Sequence, residues 1–131
     1  MIGVVIVADT GAAMRRLSEA LSELQDVHIV RHCSGGAPVG ATVAATAADV
    51  VLLDELRWVG MTLRRVAEIA EVSRARIILC ASQLEAAWLA DALRAGASAL
   101  VPRLADAGTL RTVIGEVVLA DAIEPEAVEA A

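Results

Sequence analysis

The sequence contains no Lys, Tyr, Phe or Asn, and Trp58 and Trp88 are its only large aromatic side chains. Without lysine there is no amine for a Schiff base, and without tyrosine there is no phenol to act as an acid or nucleophile. All eleven cationic side chains are Arg, which stays protonated and cannot serve as a base. Cysteine is scarce too. Cys33 and Cys80 are too few for a disulfide framework, and neither belongs to a Cys or His cluster at zinc spacing, so buried reduced thiols are expected. His28, His32 and Cys33 lie close in sequence, but His32 and Cys33 are neighbours and point to opposite faces of a strand, so no metal site is expected there. The apolar start Met1–Ala8 lacks a basic flank and stops at Asp9, short of a signal peptide or a membrane span. A cytoplasmic protein with no membrane partner is expected.

What is present is small and aliphatic. Of 131 residues 57% are hydrophobic and twenty-eight are Ala, so Ala, Val, Ile and Leu must build the core of one domain. The net charge is −6, but residues 121–131 hold four carboxylates and no base, which leaves thirteen acids against eleven Arg in residues 1–120. No basic face exists to bind nucleic acid. Residues 1–120 read as the folded body and 121–131 as an acidic, Ala-rich tail or the start of a linker.

Five runs rich in β-branched residues recur: Ile2–Ala8, Val27–His32, Val50–Leu53, Ile77–Cys80 and Ala99–Val101. Helical patterns follow at Met14–Leu24, Ala41–Ala48, Leu63–Val72 and Leu84–Ala95, and a fifth spans Leu110–Val118. The order predicts an α/β fold, (βα)₅, doubly wound around a five-stranded parallel sheet. Continuous apolar runs mark strands covered on both faces. Ala95-Gly96-Ala97 reads as a helix C-cap, and Ser34-Gly-Gly-Ala-Pro38 as the loop before the second helix. Ligands of such sheets gather at the carboxyl ends of the strands, which here carry Asp9-Thr10, Asp54-Glu55, Ala81-Ser82 and Pro102-Arg103.

With these residues in place, the chain from about Ile2 to Leu119 resembles the receiver domain of bacterial two-component response regulators. The segments that carry the resemblance are Val4-Val-Ile-Val-Ala-Asp-Thr10 with Met14-Arg-Arg-Leu17, Ala48-Asp-Val-Val-Leu-Leu-Asp54, Arg76-Ile-Ile-Leu-Cys80 and Ala92-Leu-Arg-Ala-Gly-Ala-Ser-Ala-Leu100. The phrase Leu110-Arg-Thr-Val-Ile resembles the branch with a helix-turn-helix output domain. The resemblance implies the flavodoxin-like, CheY-like strand order 2-1-3-4-5. It also implies an Asp that accepts a phosphoryl group from a histidine kinase, two acids that hold Mg²⁺, a Lys that pairs with the phosphoryl oxygens, and a hydroxyl and an aromatic ring that relay the change.

This sequence keeps only part of that set. Asp54 falls on the phosphoacceptor position and Asp9 on the first acidic position, but the second acid is Thr10. The switch hydroxyl position is Ala81, with Ser82 one residue later, and the switch aromatic position is Leu100. Arg103 replaces the Lys, and the turn after Asp54 is about one residue longer than usual. Mg²⁺ would bind only weakly, so no cofactor is expected. The chain therefore reads as an atypical receiver, or pseudo-receiver. It would be a non-enzymatic module that signals without the standard phosphorylation cycle and controls an output domain, one for transcription if the branch resemblance holds. A working phosphoacceptor and a sensor of a small ligand are the alternatives.

Single residues carry alternatives of their own. Asp54 is either a phosphoacceptor or the partner of Arg103, and the incomplete metal site favours the ion pair. Asp9 is a remnant ligand or a cap of the first helix, which Thr10 could also cap. Trp58 is a pocket lid or an apolar plug of its loop. Leu84, Trp88, Leu89 and Leu93 spread more widely around the fourth helix than one buried stripe covers, and the resemblance puts Leu100 beside them. A homodimer through the fourth helix, fifth strand and fifth helix is expected; close packing of the Ala-rich helices would instead hide much of that patch.

Overall fold

The computed structural model describes residues 1–122. Strands and helices alternate: β1 (Ile2–Ala8), α1 (Gly11–Ser22), β2 (Val27–Ser34), α2 (Val39–Ala44), β3 (Val50–Asp54), α3 (Val59–Val72), β4 (Arg76–Ala81), α4 (Ala86–Ala95), β5 (Ala99–Pro102) and α5 (Ala107–Ala122). All strand pairs are parallel, and the sheet order is β2-β1-β3-β4-β5. The doubly wound parallel sheet is the one expected of the (βα)₅ pattern, and its order is the flavodoxin-like one that the resemblance implies. The strand order reverses between β1 and β3, which opens a crevice at their carboxyl ends.

The uninterrupted apolar runs have the cause the sequence suggested, because the central strands are buried on both faces. Val4, Ile6, Val50, Leu52, Ile78 and Cys80 pack with Leu17 and Leu21 of α1 and with Leu110, Ile114 and Val117 of α5. Their alternating neighbours Val5, Val7, Val51, Leu53, Ile77 and Leu79 pack with Val39 and Val43 of α2, Val66 and Ile69 of α3, and Ala92 of α4. Strand β2 changes sides part-way. Val4 pairs with Ile29 and Val5 with Arg31, so Val30 is an extra residue that reverses the alternation. Val27 therefore joins the layer of α1 and α5, while Cys33 joins the opposite layer. His32 stays on the α1 side, 3.0 Å from the Ser18 hydroxyl.

Local side chains set several boundaries that periodicity misplaces. Helix α1 starts at Gly11, earlier than Met14, because the Thr10 hydroxyl accepts the Ala13 N–H at 3.1 Å. Helix α2 ends at Ala44, short of Ala48. The Thr46 hydroxyl donates to the Val43 carbonyl at 2.7 Å and accepts the Ala48 N–H at 3.3 Å, which draws the chain into a turn. Helix α4 begins at Ala86, so Leu84 precedes it. Asp106 accepts the Thr109 N–H at 2.8 Å and starts α5, a bond that also holds its carboxyl below the usual carboxylate range. Helix α5 runs to Ala122, and the rest of the expected acidic tail, residues 123–131, lies outside the described residues. No helix among the described residues is long and apolar enough to cross a membrane.

The expected cap at Gly96 is present. Its N–H donates to the Leu93 carbonyl at 3.1 Å and the Ala97 N–H donates to Ala92 at 3.0 Å, a Schellman closure. Gly96 has φ 123°, and a Cβ there would sit 2.6 Å from the Ala70 Cβ on α3. Gly96→Ala combines an unfavourable φ with a clash. It is expected to lower stability by about 2 kcal/mol or more, read from the midpoint of urea unfolding.

Candidate functional site

Asp54 ends β3 on the α1 side of the sheet and is 1% exposed. A carboxylate this deep is strongly unfavourable unless it is paired and hydrogen-bonded. Two guanidinium groups supply the partners. Arg103 follows β5, and its backbone N–H donates to the Ala81 carbonyl at 3.0 Å, which carries the β4–β5 ladder one residue further and aims the side chain back over β3. Its Nε lies 3.2 Å from Asp54 Oδ1 and its Nη2 2.9 Å from Oδ2, a side-on pair of parallel bonds. That hydrogen-bonded pairing raises the Arg103 pKa, with burial opposing it.

The second partner comes from α1. Arg16 sits three residues after the buried Ala13 and one before the buried Leu17, at the edge of the covered face, and its Nη2 reaches Asp54 Oδ1 at 3.4 Å. Arg16 is not among the site residues expected from sequence. Its spacing from Ala13 and Leu17 puts it at the rim of the covered face, and nothing further in the sequence marks it as the residue that reaches the end of β3. Beneath the cluster, Cys80 pairs in register with Asp54. Burial first, then the Asp54 charge, push its thiol up to about 12, opposed by Arg16 and Arg103. Cys80 is an inert structural thiol.

The remaining residues of this end are brought near but engaged otherwise. Asp9 does not cap α1; its Oδ2 accepts the Arg57 N–H at 3.3 Å and so ties β1 to the β3–α3 loop. Gly35 packs against Asp9 and Leu56 so closely that a Cβ would come within 2.5 Å of both. Thr10 uses its hydroxyl as the α1 cap. Ala81 is the buried end of β4, opposite Pro102. The Ser82 hydroxyl donates to Glu55 Oε2 at 2.7 Å, joining the β4–α4 loop to the residue after Asp54. Asp9, Thr10, Glu55, Leu56, Arg57, Ser82, Gln83 and Arg103 line an open cleft of about 740 Å³.

Trp58 does not plug its loop. It precedes α3, is 62% exposed and lies outside this lining, with Arg57 stacked 5.7 Å from its ring centre. The expected patch on α4 is narrower than its composition suggested. Trp88 and Leu100 pack against the α2–α3–α4 side of the core, whereas Leu84, Leu89 and Leu93 stay exposed.

A divalent cation held by acids after β1 and β3 does not fit these residues. Both Asp54 oxygens accept from guanidinium groups, the Thr10 hydroxyl is a cap, and the two other acids of the crevice, Asp9 and Glu55, accept from the Arg57 N–H and the Ser82 hydroxyl and share it with Arg57 and Arg103. Among the described residues no group of three His, Cys, Asp or Glu side chains could hold a metal ion.

No protein-family model matches the chain, and no curated protein matches it. Solved structures do. A LuxR-family two-component response regulator from Aurantimonas sp. SI85-9A1 superposes with a TM-score of 0.76 at 19% identity, over 90% of this chain and 85% of that one. The chain described as the signal receiver domain of the response regulator NarL from Mycobacterium tuberculosis gives 0.68 at 23% identity, over 88% and 94%. One described as pilus assembly-related, from Burkholderia pseudomallei K96243, gives 0.77 at 14% identity, over 91% and 90%. The chain has the receiver fold.

Truncating one partner of a buried ion pair costs about 3–5 kcal/mol, and less where solvent screens the pair. The Arg103 side chain is 40% exposed and Arg16 remains nearby, so Arg103→Ala is expected to cost about 1–3 kcal/mol in chemical unfolding. Arg103→Lys should recover only part of it, because an ammonium cannot repeat the two parallel bonds.

Proposed function

We propose that this chain is a pseudo-receiver, a non-enzymatic signalling module of the response-regulator kind that works without phosphorylation of Asp54. One observation carries the reading. Arg103 and Arg16 hold both Asp54 oxygens, so the carboxylate is neither a free nucleophile nor an available metal ligand. In a working phosphoacceptor the incoming group must displace that fork and find a cation to neutralise it. Thr10 in place of an acid, and the Ser82 hydroxyl bonded to Glu55, support the same reading. The fold alone would not, since it also occurs in a chain described as pilus assembly-related.

Output would then run through contact. Strand β5 is a short edge strand paired only with β4, and α4 and α5 flank it. Leu89 and Leu93 on α4 and Leu119 on α5 are exposed apolar side chains on those flanks. A homodimer through α4, β5 and α5, controlling an output domain for transcription, fits this surface and the LuxR-family likeness.

Incubating the protein with Mg²⁺ and acetyl phosphate, or with beryllofluoride, should give no acid-labile mass gain and no amide shifts around Asp54, Ser82 and Arg103. A clear Mg²⁺-dependent response would sink the pseudo-receiver reading in favour of a working phosphoacceptor. For the surface, Leu89→Glu with Leu93→Glu should weaken self-association at least tenfold in sedimentation equilibrium, and an unchanged dimer would move the contact elsewhere.

A further inference from the structure

A second cleft opens on the other side of Arg103, between the β4–α4 and β5–α5 loops. It measures about 580 Å³ and is lined by Arg16, Ala81, Ser82, Leu84, Pro102, Arg103 and Leu104. Its chemistry differs from that of the crevice beside it. The lining has two guanidinium groups and no carboxylate, whereas the neighbouring crevice mixes Arg57 and Arg103 with Asp9 and Glu55. Its rim is apolar and wet, with Leu84 52% exposed and Leu104 77% exposed. Arg16 is also under-used. Its one hydrogen bond among the described residues is the 3.4 Å contact with Asp54, and its Nε is buried without an acceptor. Two cations at one end and exposed leucines at the other match a molecule that is anionic at its head and apolar along its body.

We infer that this cleft binds a small amphipathic carboxylate, its head on Arg16 and Arg103 and its apolar body between Leu84, Pro102 and Leu104. The inference rests on the pseudo-receiver reading, for which it supplies the input that phosphorylation would otherwise provide. Both loops lead directly into the proposed docking face, Leu84 into α4 and Leu104 into α5. A ligand bridging them favours one arrangement of that face over others. Charge decides against a purely apolar occupant, since it would strip water from the exposed parts of the Arg16 and Arg103 side chains without giving their remaining donors an acceptor.

The test titrates the isotope-labelled full chain with sodium octanoate and, separately, with 1-octanol, following backbone amides by NMR. Octanoate should give saturable shifts centred on Ser82–Leu84 and Arg103–Leu104, with a Kd at least tenfold below that of octanol. Arg16→Gln should weaken octanoate at least tenfold and leave octanol unchanged. Leu104→Ala, at a solvent-exposed position that folding does not depend on, should weaken both. Equal affinity for octanol and octanoate would overturn the inference and make the rim a patch covered by a protein. Shifts that fail to saturate, or that centre elsewhere, would overturn it as well. The phosphodonor assay reads Asp54 alone, so a chain that binds octanoate yet gains phosphate defeats the earlier reading and spares this one. The reverse pair of results does the opposite.

Discussion

A single buried carboxylate governs this end of the molecule. Asp54 terminates β3 where the sheet is covered on both faces, and an uncompensated charge there would be worth several kcal/mol against folding. Neutralising it takes groups from two distant segments, Arg16 on α1 and Arg103 after β5. The ion cluster therefore fixes more than a charge. It sets where the chain leaves β5, how α1 lies over the strand ends, and which side of Arg103 each cleft occupies. Buried pairs of this kind roughly break even as stabilisers, so their consequence is the geometry they impose.

The rest of the core makes that geometry affordable in a chain with no Phe or Tyr. Short aliphatic side chains on both sheet faces let helices approach closely, and Ala92 on α4 and Ala13 on α1 are fully covered in this way. Close approach leaves no room for a Cβ at Gly96 against α3, or at Gly35 against Asp9 and Leu56. Small residues thus trade large individual contacts for short distances between elements. The carboxyl ends of β1, β3, β4 and β5 meet as a result.

The fold was legible because parallel, doubly covered strands leave a plain signature of β-branched runs joined by helical patterns. Asp54 and Arg103 were legible for a related reason, since residues at strand ends are placed by the strands themselves. Arg16 was not. A helix carries no marker of which charged residue at its rim will reach inward, and the predicted start at Met14 put its first turn in the wrong place. Trp58 misled in the opposite direction, because a large ring in a loop suggests an apolar plug although nothing in sequence says which way a helix-initiating residue points. Trp88 and Leu100 were read as surface for want of knowing how far the α2–α3–α4 layer extends. The bulge at Val30 had no sequence signal at all, and it alone puts Cys33 and His32 on the sides they occupy.

The absence of lysine has a geometric consequence as well as a chemical one. An ammonium is a compact charge that can follow a moving partner through its flexible stem, so it tolerates a carboxylate that gains and loses a phosphoryl group. A guanidinium is a planar fork whose two parallel bonds need a carboxylate plane held still. Arg103 bonds Asp54 through Nε and Nη2 in that arrangement, and the backbone bond from Arg103 to Ala81 fixes the base of the side chain. Ser82, the first hydroxyl after β4, is bonded to Glu55 and not to Asp54. A planar fork in place of a mobile point charge therefore holds the Asp54 carboxylate in one plane, and that fixed geometry is what the proposed phosphorylation-independent reading rests on.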